Sequence, residues 1–205
     1  ALPGLLRPRT SSSSTNRWGL KTPCLIHKWI LLALILSPVI VQAAIKRVYV
    51  NQAASSSGDG NNWGTAYTEL RDALTGLDAW RKGRASAGNN VSFDRGEIWI
   101  AEGNYRPSAV SSEAGRFRSF DISDWYSFSL IGGFKGGESQ VDQANPSSHI
   151  TIFSGDLNQD GLPEGNAYNV VTAKDNVTVT ISGIVIEHGN AIYHTDDIPG
   201  VATSQ

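Results

Sequence analysis

The most specific chemistry in the chain lies in six consecutive residues, Asp156-Leu157-Asn158-Gln159-Asp160-Gly161. Side-chain oxygens at positions 1, 3 and 5, followed by a glycine that turns the chain, match the first half of a calcium loop, so Asp156, Asn158 and Asp160 are the expected ligands of a Ca²⁺ ion. Calcium takes about six to eight oxygens, and the bidentate acid such loops carry at position 12 is replaced here by Ala167, with Glu164 at position 9 able to add one oxygen. A solvated turn between two strands accounts for the same residues, and the sequence leaves both readings open. His149 and His194 stand alone, and a lone histidine is more often a hydrogen-bonded surface or core group than a ligand. There is no Ser, His and Asp set at motif spacing, no phosphate loop and no zinc-ligand spacing, so no residue is assigned a catalytic role. Asn176-Val177-Thr178 is formally a glycosylation sequon, read here as incidental within a strand start.

The elements that must position the 156–161 segment are short. Ile45–Val50 reads as a short strand, and further β runs are expected at 97–101, 128–132, 150–153, 169–173, 177–181 and 184–187, rich in Ile, Val and Phe and separated by Gly, Asn, Asp and Ser. One helix is expected over 68–82, with Thr68 as its cap. Its apolar stripe is Leu70, Ala73, Leu74, Leu77 and Trp80, and Arg81 and Lys82 precede Gly83 at its end. The returns from Ile98 to Phe128, Ile150 and Val170, with no helical period between them, are the spacing of stacked β coils, none of which can bury its inner face alone.

These residues also carry a resemblance. Val48-Tyr49-Val50-Asn51, the segment Gly-Asn-Asn-Trp-Gly-Thr-Ala-Tyr at 60–67, the helix, Glu97-Ile98-Trp99-Ile100-Ala101-Glu102-Gly103-Asn104-Tyr105, Ser129-Leu130-Ile131-Gly132-Gly133-Phe134, Asn145-Pro146, Thr151-Ile152-Phe153-Ser154-Gly155-Asp156 and 184–191 resemble, in that order, secreted bacterial right-handed parallel β-helix proteins. The resemblance spans about residues 45–191 and implies an all-β, pectin-lyase-like solenoid of few coils with one N-terminal amphipathic capping helix. Such chains are commonly surface, adhesin-like or polymorphic outer-membrane proteins. Relatives run on through many further coils, whereas here no closing helix follows Ala191, so an open C-terminal end is expected to expose strand edges and favour self-association. Polysaccharide lyases and glycoside hydrolases share the fold. Asp196-Asp197 and His188-Gly189 resemble pieces of the hydrolase site, but in reversed order and with no Arg or Lys following, which fits a solvated acid pair and a turn histidine better.

Charge and composition divide the chain. Residues 1–44 carry five Lys and Arg and no acid, while the remainder holds 12 cations against 19 acids. That acidic balance, without clustered cations, argues against a nucleic-acid partner. The apolar run 29–41, interrupted by Ser37 and Pro38, is short for a bilayer span and suits a signal peptide cleaved after Ala43, with an N-terminal membrane anchor or a buried core helix as the alternative. The expected organisation is therefore a non-native or disordered extension at 1–27, a signal segment at 28–43, a β-helix domain at 44–191 and a tail at 192–205. The sequence has no Met, so Ala1 is read as lying upstream of the true start or as the first residue of a fragment. Removing the signal removes Cys24, the single cysteine, and leaves an exported chain held by burial and hydrogen bonding, with no transmembrane helix. Together these readings lead to an expectation of a secreted or cell-surface, non-catalytic β-helix module that contacts polysaccharide or a cell-surface component. The alternative is a fragment of a carbohydrate-active enzyme.

Overall fold

The computed structural model describes residues 43–108, 115–122, 127–174 and 177–192. The signal segment up to residue 42, Cys24, Asn176, His194 and Asp196-Asp197 lie outside the described residues, as does most of the 192–205 tail. Nine strands are described: β1 (Ile45–Val50), β2 (Arg95–Ala101), β3 (Gly103–Tyr105), β4 (Phe120–Ile122), β5 (Ser127–Phe134), β6 (Thr151–Ser154), β7 (Val171–Ala173), β8 (Thr178–Ser182) and β9 (Ile184–Glu187). One helix of the described residues, α1 (Leu70–Ser86), lies between β1 and β2.

Every strand pairing is parallel, and the strands form three sheets ordered β1-β2-β5-β8, β3-β6-β9 and β4-β7. From β2 onward each paired strand finds its partner three strands later in the chain. Alternation places one side chain in two in the interior, and the parallel register then stacks like on like. In the first sheet Val48, Ile98, Leu130 and Ile181 lie in one row, and in the second Tyr105, Phe153 and Ile186 lie in another. Both rows are buried until their final member: exposure is 4% or less up to Leu130 and Phe153, then 39% at Ile181 and 46% at Ile186. The strands latest in the chain, β7, β8 and β9, are thus the outer strands of all three sheets, and the rows they end are open to solvent.

The helix closes the interior beside β1. Leu70, Ala73 and Leu77 are fully buried and join Val48 and Val50 in the core, while Leu74 and Trp80 are only partly buried. The helix starts later and ends later than the sequence predicts. Its cap position is Glu69, in extended backbone with no side-chain capping bond, rather than Thr68, and it runs through Gly83 to Ser86 before Gly88 turns at φ +79°. A glycine that meets nothing within 4 Å costs propensity but breaks no contact, so Gly83 does not stop the helix. The strands β3 and β4, three residues each, were not expected from the sequence. No helix of the described residues is long and apolar enough to cross a membrane.

The outer face of the first sheet carries a second apolar cluster. Tyr49 and Trp99 face each other across β1 and β2, and Trp99 stacks on Phe134 with centroids 4.7 Å apart and planes 9° from parallel. Trp63 packs edge-on to Tyr49 at 4.8 Å and donates its indole N–H to the Glu138 carbonyl at 2.9 Å. Arg47 lies over the Trp99 ring at 4.0 Å while pairing with Glu97. Trp99, on an outward strand position, is therefore completely buried.

Two carboxylates lock the loops around this frame. Glu138 accepts backbone N–H groups from Lys135, Gly136 and Gly137 at 2.7, 3.0 and 2.8 Å. Partial burial pushes its pKa up, and these three donors outweigh that and hold it below its ordinary value. Asp121 on β4 is treated likewise: burial raises it, and the hydrogen bonds from Ser119, Thr172 and Lys174 bring it below the ordinary value. A depressed carboxylate stabilises the fold above its unfolded pKa, and that contribution is lost as pH falls through the folded value. Melting temperature is therefore expected to decline below about pH 4, and Glu138→Gln to flatten part of that decline. Melts from neutral to acid pH check this, and an unchanged acid limb in the variant would contradict the Glu138 assignment.

Candidate functional site

Between β6 and β7 the chain makes a long loop whose ends meet: the Ala167 amide donates to the Gly155 carbonyl at 2.8 Å. Its geometry needs residues that tolerate positive φ, and Gln159, Gly161 and Gly165 supply it at +62°, +72° and +83°. Arg106 and Arg116 pin the two ends, donating to the carbonyls of Asp156 at 2.8 Å and Asn166 at 2.7 Å. Asn190, following β9, donates to the Pro163 carbonyl at 2.8 Å.

The three residues that the sequence marks as calcium ligands are not arranged alike. Asp156 is buried, at 7% exposure, with Oδ2 accepting the Gly161 amide at 3.2 Å, so its carboxylate points into the loop. Asn158 and Asp160 are exposed and serve each other: Asn158 Nδ2 donates to Asp160 Oδ2 at 2.8 Å, and Asp160 Oδ1 accepts the Leu162 amide at 2.8 Å. Glu164 is exposed and Ala167 is a core residue. Sequence reasoning passed over Asn166, which is 2% exposed. The oxygens Asp156 Oδ1 and Asn166 Oδ1 are both buried and accept no hydrogen bond from any described residue. Among the described residues no three His, Cys, Asp or Glu side chains gather as a metal cluster. The two buried side-chain oxygens of this loop that lack a donor come from one carboxylate and one amide.

His149, read from sequence as solitary, and His188, read as a turn histidine, both have partners. His149 Nδ1 lies 2.9 Å from Glu102 Oε2, a pair made by the register of β3 on β6. The register of β6 on β9 sets Ser154 opposite Glu187, and His188 Nδ1 then lies 3.3 Å from Ser154 Oγ and 3.2 Å from Glu187 Oε1. A nucleophilic relay needs the serine and the acid on opposite ring nitrogens, and an exposed hydroxyl. Here both contacts fall on one nitrogen, and Ser154 is 1% exposed with Oγ also accepting the Asp156 amide. The arrangement fastens the loop base to β9 and does not suit acyl transfer. It is tight: a Cβ on Gly155 would lie 2.3 Å from the His188 carbonyl oxygen.

A cleft of about 260 Å³ opens between α1 and β4. Its floor includes Phe120 and Phe128, and its walls bring Arg71, Asp78 and Lys82 from the helix opposite Ser119 and Asp121. Lys82 and Asp78 pair at 2.6 Å, and Asp121 is bound by Lys174 at 3.0 Å. Donors and acceptors of both signs around a partly apolar floor suit a polyhydroxylated ligand better than a simple ion. No protein-family model, curated protein or solved structure matches this chain.

Proposed function

We propose that this chain is a secreted or cell-surface module of right-handed parallel β-helix type, with α1 capping its first coil, and that it acts by non-catalytic contact with carbohydrate at a surface. The observation that carries the reading is that, from β2 onward, each paired strand meets the third strand after it, sheet by sheet, which is how successive turns of one coil stack. A stack of that kind carries its loops at the corners between sheets, and the 155–167 loop runs from a strand of the second sheet to one of the third. Export is supported by the structure just after the expected cleavage point, where Ala44 donates its amide to Asp94 at 3.0 Å.

Binding to a panel of plant and bacterial polysaccharides, with release of reducing ends and unsaturated sugars followed in parallel, tests the reading. Binding without release is expected, and Thr75→Trp, at an exposed helical position lining the cleft, is expected to abolish it without unfolding the chain. Product release would favour the alternative, a polysaccharide lyase or glycoside hydrolase fragment. Binding that survives Thr75→Trp would remove the cleft from the account.

A further inference from the structure

The 155–167 loop holds two oxygens that the protein leaves unused. Asp156 Oδ1 and Asn166 Oδ1 belong to side chains 7% and 2% exposed, and neither receives a donor from the described residues. The bond from the Ala167 amide to the Gly155 carbonyl joins the chain neighbours of these two residues and so closes the loop between them. A carboxylate oxygen withdrawn from water without a donor is unfavourable, and an amide oxygen beside it adds to the deficit. One cation would satisfy both.

We propose that the 155–167 loop binds a divalent cation of the calcium class, with Asp156 Oδ1 and Asn166 Oδ1 as its side-chain anchors. The donors are hard oxygens with no sulfur or imidazole, which favours calcium or magnesium over zinc or copper. Calcium is the better match, because it accepts irregular geometry and completes its shell with water, whereas magnesium demands a near-ideal octahedron. The set differs from the linear 1, 3, 5 loop: Asn158 and Asp160 bond to each other at the surface and are not needed. Arg106 and Arg116, held on the backbone carbonyls of the two anchor residues, place positive charge nearby and keep affinity low. A dissociation constant on the order of 10⁻⁴ to 10⁻³ M follows, the range of extracellular calcium modules. The inference stands apart from the carbohydrate reading and does not require it.

The test is the melting temperature of the full chain against calcium chloride at constant ionic strength, with magnesium chloride as control. A rise of about 3–6 °C at about 10 mM calcium is expected, and a smaller rise with magnesium. Asn166→Ala and Asp156→Asn are each expected to remove the calcium increment, measured within each variant so that a change in basal stability does not enter. Asp160→Ala, at an exposed position, is expected to keep it. Asn166→Asp adds a second carboxylate and is expected to tighten calcium about tenfold by calorimetric titration. No calcium increment in the parent chain overturns the proposal, and means that an ordinary polar contact serves the two oxygens. An increment lost in Asp160→Ala and kept in Asn166→Ala overturns it in favour of the linear loop, and an Asn166→Asp affinity equal to the parent overturns the role of residue 166.

Discussion

Leu77→Asp is expected to abolish cooperative folding, and Leu77→Ala to cost about 2–5 kcal/mol, the range for removing a large aliphatic side chain from a packed interior. Leu77 is completely buried at the middle of α1, in the core that Val48 and Val50 of β1 also enter. An aspartate there would place a charge among aliphatic groups with no partner, a penalty comparable to the whole stability of an ordinary domain of about 5–15 kcal/mol. Leu74 is the informative contrast. It belongs to the same apolar stripe in sequence, but it lies only partly buried on the cleft side, where water reaches it. Leu74→Asp is expected to lose about 1–2 kcal/mol, the usual scale of a half-exposed substitution. Circular dichroism melts of the three variants make the comparison. Equal effects at the two leucines would mean that α1 does not seal the interior with the face described.

That contrast shows where sequence reading reached its limit. Periodicity identifies the stripe Leu70, Ala73, Leu74, Leu77 and Trp80, but a stripe has edges, and only the packing partner decides which positions are central. Strands with several β-branched residues were legible: Ile45–Val50 and Ile184–Glu187 have the bounds the sequence implied. Gly103-Asn104-Tyr105 and Phe120-Asp121-Ile122 offer no such pattern, and they are strands because β6 and β7 lie beside them in register. The glycines near the corners were visible, but not their reason. Gly132 stacks under Gly183 so closely that a Cβ on it would lie 2.5 Å from the neighbouring carbonyl oxygen. In the 155–167 loop, spacing drew attention to Asp156 and not to the also buried Asn166, because an asparagine between a glycine and an alanine signals nothing until the loop closes and buries it. Histidine pairings across 34 and 47 residues were likewise products of strand register alone.

The other large effect is expected at the far end of α1, where Arg84→Ala should cost about 3–5 kcal/mol. Asp94 is fully buried, and its two oxygens are served by Arg84 Nε at 2.8 Å, Arg84 Nη2 at 3.4 Å and the Ala44 amide at 3.0 Å. Ala44 precedes β1 and Asp94 precedes β2, so one carboxylate ties the last turn of the helix to the starts of the first two strands. Deleting the guanidinium leaves that carboxylate buried with a single amide donor, and the cost arises from the stranded charge more than from the attraction lost. The Arg84 side chain is 25% exposed, so solvent screens the pair only partly. Lys82→Ala, two residues earlier, is the control: its pair with Asp78 is on the surface, with the lysine side chain 73% exposed, and about 0.5 kcal/mol or less is expected there. If the stranded charge is the cause, Arg84→Leu combined with Asp94→Leu should be more stable than Arg84→Ala alone, because apolar replacements remove the charge along with its partner. Denaturant unfolding of the four proteins decides the matter. A double variant no more stable than Arg84→Ala would locate the loss in helix packing, and equal losses at residues 82 and 84 would mean that water reaches the Asp94 carboxylate.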